Sequence, residues 1–431
     1  MRFYDIIRTI FLKNKILFKN FSSLSLLQIS QYLIPLITFP YLVRVLGPDG
    51  YGLVAFATAF VGYFTVITDY GFNLSATKQI SLNRSDKKKT SEIFNSVLTV
   101  KLLLFLLSIL VVIPITLLFD RFNKDAAIYL ISFVSVFGTV LFPVWFFQGI
   151  ERMGYISAIS ITLKILWAIS IFIFVHSYND ILILVSLNTL SSLLTGIIGI
   201  TIVVFGFKVK IEVPNKNLIK YQFNKGWHYF LSTASISLYT ISNIFILGLF
   251  ASDTVVGYFS AADKIRQAIQ NLSSSAGTTI FPHLSSEFNR SKTAAINFLR
   301  KYVLIVGTLT FLASLTLFVF SKQIVLVVLG ADYLQSVILL KIISFLPIII
   351  FFSNVAGIQT MLNMGFKKEF ANIIMIAGIF NIFLSFIIIP IYLNVGTAIM
   401  VMLTEILVTS QMVLFLRRKK IHVFRNLLSS I

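Results

Sequence analysis

Residues 257–271 read GYFSAADKIRQAIQN, and Asp263, Lys264 and Arg266 fall within four residues there, in an otherwise apolar part of the chain. On a helix, Asp263, Arg266, Gln267 and Gln270 recur at i, i+3, i+4 and i+7 and form one polar stripe, with Lys264 about 100° to its side. Two kinds of chemistry suit such a stripe. Its cations can hold an anion, and the planar arginine fork suits a phosphate best. Its carboxylate can pair with those cations or take up an ion. Other ionisable residues interrupt apolar runs elsewhere: Asp69, Lys101, Lys164, Lys341 and Glu405, with Arg44 at the end of one run. None of this resembles a catalytic set. The chain has no cysteine, so disulfides and thiolate metal sites are excluded, and its four histidines are scattered without ligand spacing. We therefore expect no catalytic residue, no metal and no cofactor. GPDGYG (47–52) is glycine-rich but has no following lysine, and reads as a tight turn.

The elements that must position these residues follow from composition. Of 431 residues, 57% are hydrophobic and 12% are charged, and the mean hydropathy is +0.91. So few charges could not cover a soluble surface. A helix needs about 20 apolar residues to cross a bilayer, and the chain carries such runs almost end to end. They are too long and too evenly apolar for barrel strands, so the expected class is an all-α integral membrane protein. We read twelve transmembrane helices: 24–45, 51–72, 94–119, 126–149, 156–176, 180–206, 227–250, 255–282, 297–320, 334–363, 369–390 and 394–416. Twelve spans put both termini on one side. That side carries 27 of the 36 Lys and Arg and the other carries 4, so both termini are expected to be cytoplasmic. The same asymmetry explains the net charge of +20 without a nucleic-acid partner. No cleavable signal peptide is visible, and residues 1–20 have the spacing of an amphipathic helix lying on the cytoplasmic leaflet.

Charges at membrane depth cost about 2.5–3.5 kcal/mol each on insertion scales, so these residues must face a polar interior or one another. The candidates for a substrate cavity are Arg44, Lys101, Lys264, Arg266, Gln267, Gln270 and Lys341, and those for ion coupling are Asp69, Asp263 and Glu405. The competing reading is that some of these are buried pairs between helices, or lysines that snorkel.

The halves of the chain echo each other. A shift of 205 positions sets Gly52 on Gly257 and Ala57 on Ala262, and pairs the first two spans with the seventh and eighth. Six intervening spans keep both copies in one orientation, a parallel repeat of the transporter kind. The expected domains are an N-lobe (1–206), a basic cytoplasmic linker (207–226) and a C-lobe (227–431). Pro35 and Pro40, both in the first span, suggest a bent helix there.

The stretches ISQYLIPLITFPYLVRVLGPDGYGLVAFA (29–57), DYGFNLSATKQIS (69–81), PVWFFQGIERMGYIS (143–157) and LGLFASDTVVGYFSAADKI (247–265) carry a resemblance to the Wzx-type polysaccharide-unit flippases. These belong to a superfamily that also holds multidrug-and-toxin exporters and peptidoglycan-precursor flippases. The resemblance implies two six-helix lobes in a V and no enzyme activity. It also implies a place in the cell inner membrane. Arg44 matches a basic position near the first span, and Lys264 and Arg266 fall in a span whose basic residues face the cavity. The implied cargo is an undecaprenyl-diphosphate-linked oligosaccharide, moved from the cytoplasmic to the outer leaflet for O-antigen, capsule or exopolysaccharide assembly through a cationic cavity. Polymerase and chain-length proteins are candidate partners, and a monomer suffices. Peptidoglycan-precursor flippases usually have fourteen spans, which favours the polysaccharide branch. The alternative is an organic-cation antiporter of the same superfamily.

Overall fold

The computed structural model describes residues 15–424, so the amphipathic segment expected over 1–20 and the basic tail beyond 424 lie mostly outside the described residues. Helices account for nearly all of them, and no strand occurs among the described residues. Hydrocarbon offers backbone groups no partner, and a helix satisfies them internally. Among the described residues, eight helical segments are long and apolar enough to cross a membrane: Ser22–Asn83, Lys87–Leu118, Ala126–Gly149, Gly154–Phe174, Tyr178–Gly206, Lys292–Val319, Ser336–Leu362 and Lys367–Arg418. The first and last are 62 and 52 residues long, two to three times what one crossing needs. Two more long helices, Lys216–Phe250 and Asp253–Arg290, hold the more polar middle of the chain.

The breaks in these helices show how the chain turns. In Lys15–Asp69 helical geometry fails only at Gly47, with φ +65° and ψ 177°. GPDGYG is therefore no multi-residue turn. One glycine reorients the chain, at a φ that costs other residues strain, and helix resumes at once. Pro35 and Pro40 both keep helical backbone angles. In Lys367–Arg418 the break is at Leu393, with φ +47°, inside the connection 391–393 that hydropathy had marked. The span expected over 126–149 is interrupted at Phe142–Pro143 and restarts as Val144–Gly149. The charged stretch between the expected spans 51–72 and 94–119 is helical over Phe72–Asn83. Phe72, Ala76 and Ile80 recur at i, i+4 and i+8 on its buried face. Asp86 then caps the helix Lys87–Leu118, its carboxylate accepting from the backbone N–H groups of Lys88 and Lys89.

Two compact units result. Among the described residues one runs to Tyr41 and resumes over Phe60–Ala234, and the other is Leu42–Ala59 with Ser235 onward. In the first, Phe72, Ile80, Phe94, Trp145, Phe146 and Phe147 form an aromatic core. The tryptophan–Phe–Phe stretch of PVWFFQG is thus packing material, with all three rings buried. In the second, Tyr302, Phe351, Met361, Ile374, Met412 and Leu416 form the core.

The repeat has a physical counterpart inside the second unit. A Cβ placed on Gly52 would lie 1.7 Å from the Asp253 carbonyl oxygen, and one on Gly257 would lie 1.9 Å from that of Pro48. Thr254 Oγ1 donates to Asp49 Oδ1 at 3.0 Å. Pro48 and Asp253, Asp49 and Thr254, and Gly52 and Gly257 are each 205 positions apart. The two copies of one segment thus pack on each other reciprocally, backbone on backbone, as small residues allow in membrane helices. Gly52→Ala should destabilise the protein by about 1–3 kcal/mol or more through overpacking. Gly154→Ala, whose Cβ would meet only Ser23 Oγ at 3.6 Å, should be close to neutral. Thermal unfolding of the purified variants checks this, and an unshifted Gly52→Ala would contradict the packing.

Candidate functional site: a polar cavity around Arg266

The helix Asp253–Arg290 carries the stripe that opened the sequence reading, and its polar face lines a cavity of about 840 Å3 in the second unit. Asp263, Arg266, Gln267 and Gln270 all reach the wall, as the i, i+3, i+4, i+7 spacing requires. Arg266 is only 7% exposed and Asp263 only 9%. Arg266 Nε donates to Asp263 Oδ1 at 2.6 Å, and its Nη1 donates to Gln270 Oε1. Gln267 Nε2 donates to Asp263 Oδ2 at 2.7 Å. The carboxylate thus holds the guanidinium from one edge, and Nη2 has no protein acceptor among the described residues. A guanidinium fixed this way is pre-organised to receive an anion.

Glu405 comes to the same cavity from the far half of Lys367–Arg418 and is 8% exposed. Among the lining residues one arginine therefore faces two carboxylates, Asp263 and Glu405. Three further polar groups escaped the sequence reading. Gln359 donates from Nε2 to the Gly277 carbonyl at 2.9 Å, while its buried Oε1 has no partner among the described residues. It sits on Val355–Leu362, a π-helical stretch whose wider turn changes which side chains face inward. Asn354 and Thr404 line the wall as well, and Asn381 Nδ2 donates to Thr404 Oγ1 at 2.8 Å. A polar residue inside an apolar run was the available signal; the π-turn left none.

The other candidates are placed elsewhere. Lys264 is exposed and does not line this cavity, on the opposite side of its helix from Arg266. Lys341, on Ser336–Ile343, is exposed too. Arg44 is exposed and donates from Nη2 to the Val327 carbonyl, next to Tyr333, whose hydroxyl donates to the Val43 carbonyl at 3.1 Å. These contacts fasten the chain just before Gly47 to the segment around 327–333.

Asp69 and Lys101 belong to the first unit. Lys101 is 3% exposed, its Nζ 3.5 Å from Asp69 Oδ1 and 3.3 Å from the Thr139 carbonyl. Asn73 Nδ2 donates to both Asp69 oxygens, at 3.0 and 2.9 Å. Lys101 thus does not snorkel; it is a buried cation with its counter-charge supplied. Among the described residues no three His, Cys, Asp or Glu side chains stand together as a metal site would need. Removing one member of the Lys101–Asp69 pair leaves the other uncompensated, and Asp69→Asn should cost up to roughly 3–5 kcal/mol. The double variant Asp69→Asn/Lys101→Met should recover part of that loss, and thermal unfolding of the three variants reads the coupling. Additive single losses would contradict the pairing.

Comparison with known proteins agrees with the transporter architecture. The family model "Polysaccharide biosynthesis protein" matches residues 17–288. A protein of Escherichia coli (strain K12) bearing the name "Putative O-antigen transporter" is 36% identical over 404 residues, covering 94% of this chain and 97% of that one. A Shigella dysenteriae protein of the same name is 31% identical over 397 residues, covering 90% and 97%. Among solved structures, "Lipid II flippase MurJ, inward closed conformation" superposes with a TM-score of 0.72 at 15% identity, over 94% of this chain and 91% of that one, a likeness of fold. With the family model matching well over half its length and a relative more than one-third identical end to end, the chain belongs to the polysaccharide biosynthesis protein family.

Proposed function

We propose that the protein is a flippase that moves undecaprenyl-diphosphate-linked oligosaccharide units from the cytoplasmic to the outer leaflet of the cell inner membrane. The flipped units would feed assembly of O-antigen or a similar surface polysaccharide. The observation that carries this reading is the end-to-end similarity to proteins named as O-antigen transporters. The site chemistry is compatible with it. The cargo joins a dianionic diphosphate, a wet saccharide and a prenyl chain, and needs only to be bound and released. Arg266, held by Asp263 and Gln270, is the group we assign to the diphosphate. Gln267, Asn271 and Gln359 surround it with amides. No bond is made or broken, so the protein is not an enzyme on this reading.

The working topology is twelve crossings with both termini cytoplasmic. Residues 1–206 and 227–431 form the two lobes, 207–226 links them, and the protein acts as a monomer alongside a polymerase and chain-length proteins. An anionic cargo moving outward gains about 2.3 kcal/mol per charge per 100 mV of membrane potential, so the potential alone can drive the step. Glu405, on the wall of the same cavity, is the residue we assign to any coupled proton or cation. A second reading, antiport of organic cations, draws on the two carboxylates of the same cavity.

Depletion of the protein should trap lipid-linked oligosaccharide on the cytoplasmic face. Wild type and Lys264→Ala should restore surface polymer, whereas Arg266→Gln, expressed to the same level, should not. Intact polymer with raised drug sensitivity would favour the cation antiporter. In proteoliposomes, collapsing the potential should slow the flip of undecaprenyl-diphosphate oligosaccharide, and an unchanged rate would rule out potential-driven movement.

A further inference from the structure

The first unit holds a second, open cavity of about 550 Å3, for which the assignment of Arg266 provides no role. Asp69, Lys101 and Lys164 line it, together with three amides, Gln31, Asn73 and Asn188, and seven serine or threonine hydroxyls. No arginine is among the lining residues.

The hydrogen bonds determine what this wall can recognise. The hydroxyls of Thr139, Ser192 and Thr195 donate to the carbonyls of Val136, Ser135 and Ser191 at 2.8, 2.8 and 2.7 Å. Thr65 and Thr233 donate in the same way to Val61 and Tyr229. A hydroxyl whose proton is engaged offers a ligand only oxygen lone pairs. Asn188 and Gln31 have no side-chain hydrogen bond to protein among the described residues, so each amide presents both donor and acceptor to the cavity. The wall is therefore rich in acceptors. An ionised phosphate, which only accepts, cannot satisfy it. A cation would suit the lone pairs but would meet two lysines against one carboxylate. A neutral polyol fits both constraints, because each of its hydroxyls donates one bond, accepts others and carries no charge. Amides left without a protein partner are completed by water or by such a ligand.

We infer that this cavity is a saccharide subsite, which reads the sugar hydroxyls of the cargo. The inference rests on the flippase reading.

The test measures binding to the full-length protein in nanodiscs. One probe is undecaprenyl diphosphate carrying the repeat-unit oligosaccharide of the host cell, and the other is sugar-free undecaprenyl diphosphate. Wild type should prefer the sugar-bearing lipid by at least about tenfold, the worth of one or two good hydrogen bonds. Asn188→Leu/Thr195→Val should bring the two affinities to within about threefold of each other and leave sugar-free binding unchanged. Gln31→Leu, on a different helix, should cause the same selective loss, which guards against one variant that fails to fold. Arg266→Gln should weaken both lipids alike. If the first-unit variants keep the preference, or weaken both lipids equally, the subsite is overturned while the flippase reading stands. If wild type binds neither lipid, the flippase reading falls and the subsite with it.

Discussion

A charge in hydrocarbon must bring its partner with it, and the interior of this protein is organised by that constraint. Lys101 is buried because Asp69 and a backbone carbonyl stand beside it, and Asp69 is held by Asn73. Arg266 is buried because Asp263 and Gln270 embrace it one helical turn away. In each unit the paired charges stand at the wall of a cavity, where part of each group is left for water or a ligand. A buried pair is weak evidence for stability, since well-packed apolar residues do as well.

The second constraint is steric. Gly52 and Gly257 have no room for a single added carbon, and each lies against the backbone of the other's segment. This crossing places the start of the second span with the C-terminal part of the chain, which is why Leu42–Ala59 packs in the second unit rather than with its sequence neighbours. It also gives the weak repeat a physical meaning. Corresponding segments share small residues because they pack on each other.

Much of this was legible in the sequence. Hydropathy exposed the helical membrane class, and the period of Asp263, Arg266, Gln267 and Gln270 placed all four on one wall. The breaks were less legible. Two prolines drew attention in the first span, yet the chain turns at Gly47, because proline keeps a helical φ whereas glycine alone adopts +65° cheaply. Charge type misled as well. Lys264 is two residues from Arg266 but leaves the helix on the exposed side, and two steps of about 100° are enough to do that. Gln359 reaches the cavity through a π-turn and Lys101 meets Asp69 from a different helix, and neither depends on local spacing. The first-unit cavity is assembled from isolated polar residues on many helices, so no single stretch announced it.

The most direct test of the account is transfer of the cargo itself by the purified protein. Proteoliposomes would carry undecaprenyl-diphosphate-linked oligosaccharide, with the sugar in the outer leaflet measured by a membrane-impermeant glycan-modifying enzyme under an imposed potential. The account predicts that wild-type protein moves the sugar across the bilayer well above the rate in protein-free vesicles, and that Arg266→Gln does not. Transfer no faster than in protein-free vesicles, from protein shown to be folded, would contradict it.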